Sequence, residues 1–167
     1  MPREDQPATR PVTGTAGSLP KAQGGGSRAG LITMGQGRAH NEADYAAWTS
    51  SIDHIRATPG FGEGNWPREM SLADNLRDLQ RHARDFAERR GFTYTVLGTG
   101  DGGIIGCVYI YPPSSQAPGG GERRLHAPVE SWVRASHAAL DVAVHDAVVA
   151  WLERDWPFDS IEYAPRT

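Results

Sequence analysis

The sequence predicts an α/β domain, a mixed and mostly antiparallel sheet flanked by helices. Three stretches carry that expectation. Residues 71–91 have the spacing of an amphipathic helix, residues 92–111 alternate as a β-hairpin, and residues 126–152 run from a strand through a tight turn into another helix.

Taken from the N-terminus, residues 1–30 are rich in Pro, Gly, Ser and Thr and almost free of large apolar side chains, too little to offset their ordering entropy. They read as a flexible tail, a start-site artefact or a partner-binding arm, and residues 31–167 as the domain. Leu31 to Met34 can form a first strand. Asn41 offers an N-cap and Asp44 a first-turn charge for a helix whose apolar positions Tyr45, Trp48, Ile52 and Ile55 step by three and four. Thr58-Pro59-Gly60 ends that helix, and the Gly- and Pro-rich run to Pro67 is a loop.

The next helix opens on a capping box, Ser71-Leu72-Ala73-Asp74, and carries Leu72, Leu76, Leu79, Ala83 and Phe86 as its core stripe. Arg89 and Arg90 suit its negative end, and Gly91 supplies the expected left-handed stop. Strands at 92–97 and 104–111 follow, both rich in β-branched and aromatic residues. Pro112 and Pro113 lead into a polar loop through about Arg124. A strand near His126 to Arg134 precedes a helix marked by Leu140, Val144, Val148, Trp151 and Leu152, and residues 159–164 read as a last strand. The predicted order is β-α-α-β-β-β-α-β.

With 167 residues the chain is one domain plus a tail. A net charge of -3 gives no basic footprint for nucleic acid. No run reaches the roughly 18 apolar residues of a membrane span, nor is there a secretory signal stretch, so neither membrane nor export is expected. Cys107 is the single cysteine, consistent with a cytoplasmic setting, and its apolar strand makes it a core residue rather than a nucleophile. Histidines are scattered without metal-ligand spacing, so no metal is expected. Gly98, Gly100 and Gly103 match the letters of a dinucleotide fingerprint, but a strand follows them where that motif needs a helix.

The stretch Val129 to Ala139 carries the most chemistry. A strand turning into a helix presents backbone N–H groups at the positive helix end, a natural cradle for a diphosphate, although such groups also serve water or a cap.

Together, this turn and the order of elements resemble the GNAT family of acetyl-coenzyme A-dependent N-acetyltransferases. Arg134-Ala135-Ser136-His137-Ala138-Ala139 resembles the family's coenzyme A loop at Arg134 and Ala139, while His137 stands where a glycine is expected. The resemblance spans residues 31 to 166. It implies acetyl-CoA as co-substrate, held by the amides of Val133, Arg134, Ala135, Ser136, His137, Ala138 and Ala139, and a small-molecule or peptide amine as acceptor. Glu130 would take the amine's proton through a water, or is otherwise a solvated strand carboxylate. Phe61 and Trp66, in the loop where the family shapes its acceptor site, either line that site or pack. The family usually continues beyond the point where this sequence stops, which implies an open cleft or a homodimer covering the sheet edge. A catalytically silent module binding coenzyme A or a protein is the alternative the His137 departure supports.

Overall fold

A computed structural model describes residues 29–33, 38–98, 100, 102–112 and 125–167. Most of the expected tail and the polar loop at 113–124 lie outside these. The elements are β1 (Ala29–Thr33), α1 (Arg38–Thr49), α2 (Ile52–Ala57), α3 (Leu72–Ala87), β2 (Phe92–Gly98), β3 (Ile104–Ile110), β4 (His126–Val133), a 3-10 helix (Ala135–Leu140), α4 (Asp141–Asp155) and β5 (Ser160–Tyr163). This is the predicted order, with two changes: the first helix is split, and a 3-10 turn precedes the last. β1 begins two residues before the expected domain boundary.

The five strands lie side by side in chain order, antiparallel except for the parallel pair β4–β5. Strand alternation sorts the side chains into two cores. Phe92, Tyr94 and Val96 of β2 and Ala127, Val129 and Val133 of β4 meet Val144, Val148, Trp151 and Leu152 of α4. On the other face, Cys107 and Trp132 meet Ala47, Trp48, Ile55 and Phe61. The sheet is thus the middle of three layers. Val96 pairs with Gly106 while Leu97 pairs with Ile104, so Ile105 is a bulged extra residue, and its carbonyl accepts the Arg134 N–H at 2.7 Å. That bond fastens the exit of β4 to the hairpin. No helix of the described residues is long and apolar enough to cross a membrane.

The capping box of α3 forms as expected: Ser71 Oγ accepts from Asp74 N at 3.1 Å, and Asp74 Oδ2 accepts from Ser71 N at 3.2 Å. Replacing Ser71 by Ala should cost about 1 kcal/mol, readable as a lower urea midpoint at unchanged slope; no change would mean that tertiary packing alone sets the start of α3.

Three local expectations are corrected. Asn41 is no N-cap, because α1 starts at Arg38 and Asn41 lies buried within it, donating to Leu72 O. Leu72, expected in the core stripe, is one of the exposed large apolar residues, while Asn75 joins the expected Leu79 as a buried residue of α3. The left-handed residue after α3 is Arg89, with φ of 58°, not Gly91. Gly91 is needed for another reason: a Cβ there would lie 2.1 Å from the Tyr111 ring.

Candidate active site: an aromatic cavity beside the β4 turn

β3 and β4 bring Tyr109 and Glu130 opposite each other on one face of the sheet, since the two are register partners. α1, α3 and the loop after α2 arch over that face. Between them lies a cavity of about 630 Å³. The loop contributes Phe61 and Trp66, so these two predicted residues and Glu130 share one space. Phe61 is buried and Trp66 half-buried. Trp66 is the hub of the aromatic wall, with ring centroids 5.7 Å from Phe61, 6.0 Å from Trp48, 6.1 Å from Trp132 and 6.3 Å from Tyr109. Solvent reaches Glu130, yet burial of its surroundings holds its carboxyl above the ordinary glutamate value.

The cavity's deeper polar group was not foreseen. Asp44, expected only as a first-turn charge, is 4% exposed and lines the cavity wall. Its Oδ2 accepts from Asn75 Nδ2 at 2.9 Å, and the Cys107 thiol lies 3.8 Å from Oδ1. Asn75 also donates to Asn41 Oδ1 and accepts from the Trp48 indole N–H, both at 2.9 Å. Burial, which outweighs these bonds, pushes the Asp44 carboxyl up. It pushes the Cys107 thiol well up too, in keeping with the core role expected for that residue.

His82 of α3 also lines the cavity, with Nδ1 2.7 Å from Tyr111 OH and 3.1 Å from Thr93 Oγ1. Burial, reinforced by the Arg81 charge, lowers its pKa from 6.5 to about 4. The folded state therefore refuses a proton that the unfolded chain accepts. This contribution to stability is complete above pH 6.5 and is lost as pH falls toward 4, by up to about 3 kcal/mol. His82→Gln should flatten that part of the stability-pH curve; parallel curves for the two proteins would show that His82 is not the group responsible.

Beyond the cavity, β4 leads into the turn expected to hold a diphosphate. Val133 points into the core and Arg134 caps a 3-10 helix rather than opening an α-helix; His137 sits at a kink, with φ of -123°, and α4 starts only at Asp141. The kink follows from local bonding: His137 N donates to Arg134 O at 2.8 Å and Ala135 N to Ser51 Oγ at 3.0 Å. With the Arg134 N–H already given to Ile105 O, three of the amides, those of Arg134, Ala135 and His137, are therefore engaged within the chain. What the turn offers an anion is the half-buried Arg134 guanidinium, one Nη of which donates to Ser50 Oγ at 3.2 Å, and the exposed Ser136 in the first turn of the 3-10 helix. This donor set fits a diphosphate, with a side-chain cation standing in for part of an all-backbone cradle.

Backbone pairing of β4 with β5 ends at Val129 and Tyr163, while β4 runs on to Val133. Past that point side chains bridge the strands. Tyr163 OH bonds Ser131 Oγ, and burial raises the phenol to about 12. Arg166, its side chain 2% exposed, donates to Ser131 O at 2.9 Å and to Ala164 O at 2.7 Å, with Nε 2.9 Å from Asp141 Oδ2, near enough for charge pairing though not aligned for a hydrogen bond.

No family profile and no curated protein matches this sequence. Solved structures do match its fold. RimL, a ribosomal L7/L12 α-N-protein acetyltransferase in complex with coenzyme A, superposes with a TM-score of 0.58 at 11% identity over 83% of this chain and 68% of its own. The Salmonella typhimurium acetyltransferase that modifies the N-terminal serine of L7/L12 gives 0.53 at 9% identity, over 75% of this chain and 64% of its own. The microcin C7 self-immunity acetyltransferase MccE, in complex with acetyl-CoA and AMP, gives 0.52 at 12%, over 75% of this chain and 61% of its own. The chain thus spans about two thirds of the length of these proteins. At such identities the likeness is one of architecture, and by that architecture the chain has the fold of the GNAT acetyltransferases.

Proposed function

We propose that the chain is an acetyl-CoA-dependent N-acetyltransferase acting on an amine. The observation that carries this reading is the position of Glu130: it lies on β4, in the wall of an aromatic cavity, four residues before the turn whose donors suit a diphosphate. The Arg134 guanidinium and Ser136 in the first turn of the 3-10 helix would hold the diphosphate. Acetyl-CoA, when bound, supplies the acetyl group as a thioester. The acceptor nitrogen must be neutral to attack a carbonyl, and Glu130, made more basic by its surroundings, takes the ammonium proton through a water. Phe61 and Trp66 exclude solvent from the amine's apolar part. Two of the fold's neighbours act on protein N-termini, and an acceptor of small-molecule or peptide type is consistent with a cavity of this size.

The engaged amides of Ala135 and His137 favour a second reading, a silent module that binds coenzyme A or a protein. One experiment separates the two. Titration calorimetry with acetyl-CoA, followed by free-thiol release in the presence of a panel of amines, should give binding and amine-dependent release. Binding without release for any amine would leave the silent module, and absence of both would sink the coenzyme assignment itself.

A further inference from the structure

Asp44 poses an electrostatic problem that the fold leaves unsolved. It is a buried carboxylate, and its partners are an amide and a thiol, both neutral. Among the described residues no arginine or lysine lies within ion-pairing distance of it. His40, whose charge would act on Asp44, is itself held toward its neutral form by burial. Of the cations at the cavity, Arg81 is paired with Asp78 at 3.3 Å, Arg68 is exposed to solvent, and His82 is neutral at physiological pH. A carboxylate in such a place costs several kcal/mol in desolvation, which a cation from outside would recover.

The carboxylate is reachable, because it forms part of the cavity wall, and it has acceptor capacity to spare: an ionised carboxyl offers about four lone-pair sites, and the described residues use two. Around it the wall is aromatic and apolar. Trp66 and Tyr109 present π surfaces of the kind that attract organic cations, with Phe61 and Met70 beside them. Glu130 adds a second carboxyl toward solvent, with no ion-pair partner among the described residues.

We propose that this cavity binds an organic ammonium ion with an aromatic or apolar body, its charged head on the Asp44 carboxylate and its body against Trp66 and Tyr109. The assignment deepens the acetyltransferase reading: it rests on that reading for the fate of the amine, not for its binding. Asp44 would anchor the head group in the ground state, leaving proton removal to Glu130. Neutral molecules of the same shape gain the aromatic contact but not the ion pair, so selectivity for charge is the signature of the site.

The test uses the full chain without coenzyme at pH 7, titrated with 2-phenylethylammonium, hexylammonium and tyramine, and with 2-phenylethanol as the neutral isostere. Tryptophan fluorescence and calorimetry report binding. The ammonium ions should bind at least about tenfold more tightly than the alcohol, the ratio expected of one charge-assisted bond. Asp44→Asn should bring that ratio close to one while leaving the alcohol's affinity as it was. Equal affinity for 2-phenylethylammonium and 2-phenylethanol in the wild-type chain, no binding of any of the three ammonium ions at millimolar concentration, or a preference that survives in Asp44→Asn would each overturn the proposal. The wild-type comparison decides even if Asp44→Asn fails to fold. Charge-selective binding without acetyl transfer would sink the enzyme reading and leave this site standing; acetyl transfer to amines that bind no better than alcohols would do the reverse.

Discussion

Asn75→Leu is expected to destabilise the domain by about 4 kcal/mol, a large fraction of the stability of a domain this size. The side chains are nearly equal in volume, so packing is not the cause. Asn75 is 4% exposed and makes three side-chain hydrogen bonds, to the Trp48 indole, Asn41 and Asp44. Leucine would strand an indole N–H, an amide oxygen and a carboxylate in a place that little water reaches. Each neutral group left unsatisfied costs roughly 1–3 kcal/mol and a charged one more. Relaxation and water entry recover part of that sum. Chemical denaturation measures the effect directly, with Gln80→Leu on the exposed side of α3 as a control expected within about 0.5 kcal/mol of wild type. A loss below 1 kcal/mol for Asn75→Leu would mean that the cluster is flooded and that Asp44 is not a buried charge at all.

That cluster also marks where the sequence ceased to be readable. Periodicity locates what a segment does alone: the Ser71 cap, the Phe92–Ile110 hairpin and the Val144–Trp151 stripe each depend on neighbours a few residues away, and each is where the pattern puts it. Asn41, Asp44 and Asn75 are polar residues on helices, and a helical pattern assigns such residues to solvent. Their partners lie 31 and 34 positions apart, a pairing that only the packing of α1 on α3 creates. The kink in the first helix is similar. Its apolar stripe runs unbroken from Tyr45 to Ile55, but Ser51 turns aside to accept the Ala135 N–H, 84 residues away. Arg89, not Gly91, takes the left-handed conformation, and what the glycine serves is the Tyr111 ring twenty residues on, which fills the space beside it.

The candidate site was legible in part for the same reason. Glu130, Phe61 and Trp66 were found through a resemblance, and they do share one cavity. A signal for Tyr109 was available, since residues 107 and 109 alternate toward one face of β3, the face on which Glu130 lies across the ladder. For Asp44 and His82 there was none: nothing in their neighbourhoods distinguishes them from surface residues. The turn at 134–139 was legible as a turn but not as a 3-10 helix, whose form rests on the bonds of Ser51 and Arg134.

Glu130→Gln carries the largest expected effect on catalysis, about a hundredfold fall in kcat on an amine that the cavity accepts, with KM changing less than about threefold. Glutamine keeps the shape and the hydrogen-bonding reach but cannot take a proton. Its effect on folding runs the other way. Burial raises the Glu130 carboxyl in the folded state, so between the ordinary and the raised value the folded chain binds more protons than the unfolded one, and stability falls as pH rises through that window. Above it the ionised carboxylate is a mild liability, and Gln removes the liability. The variant should therefore be at least as stable as wild type at neutral pH, which rules out unfolding as the source of its lost activity. The pH dependence of kcat gives the decisive reading. In wild type the rate should climb as pH rises through the raised carboxyl value, because only the ionised form acts as base; in Glu130→Gln that acidic limb should be missing, while any limb set by the amine itself remains. A variant that keeps kcat within about threefold and retains the acidic limb would make Glu130 a solvated strand carboxylate, and the base would then have to be sought among the other cavity groups, with Asp44 the first to replace.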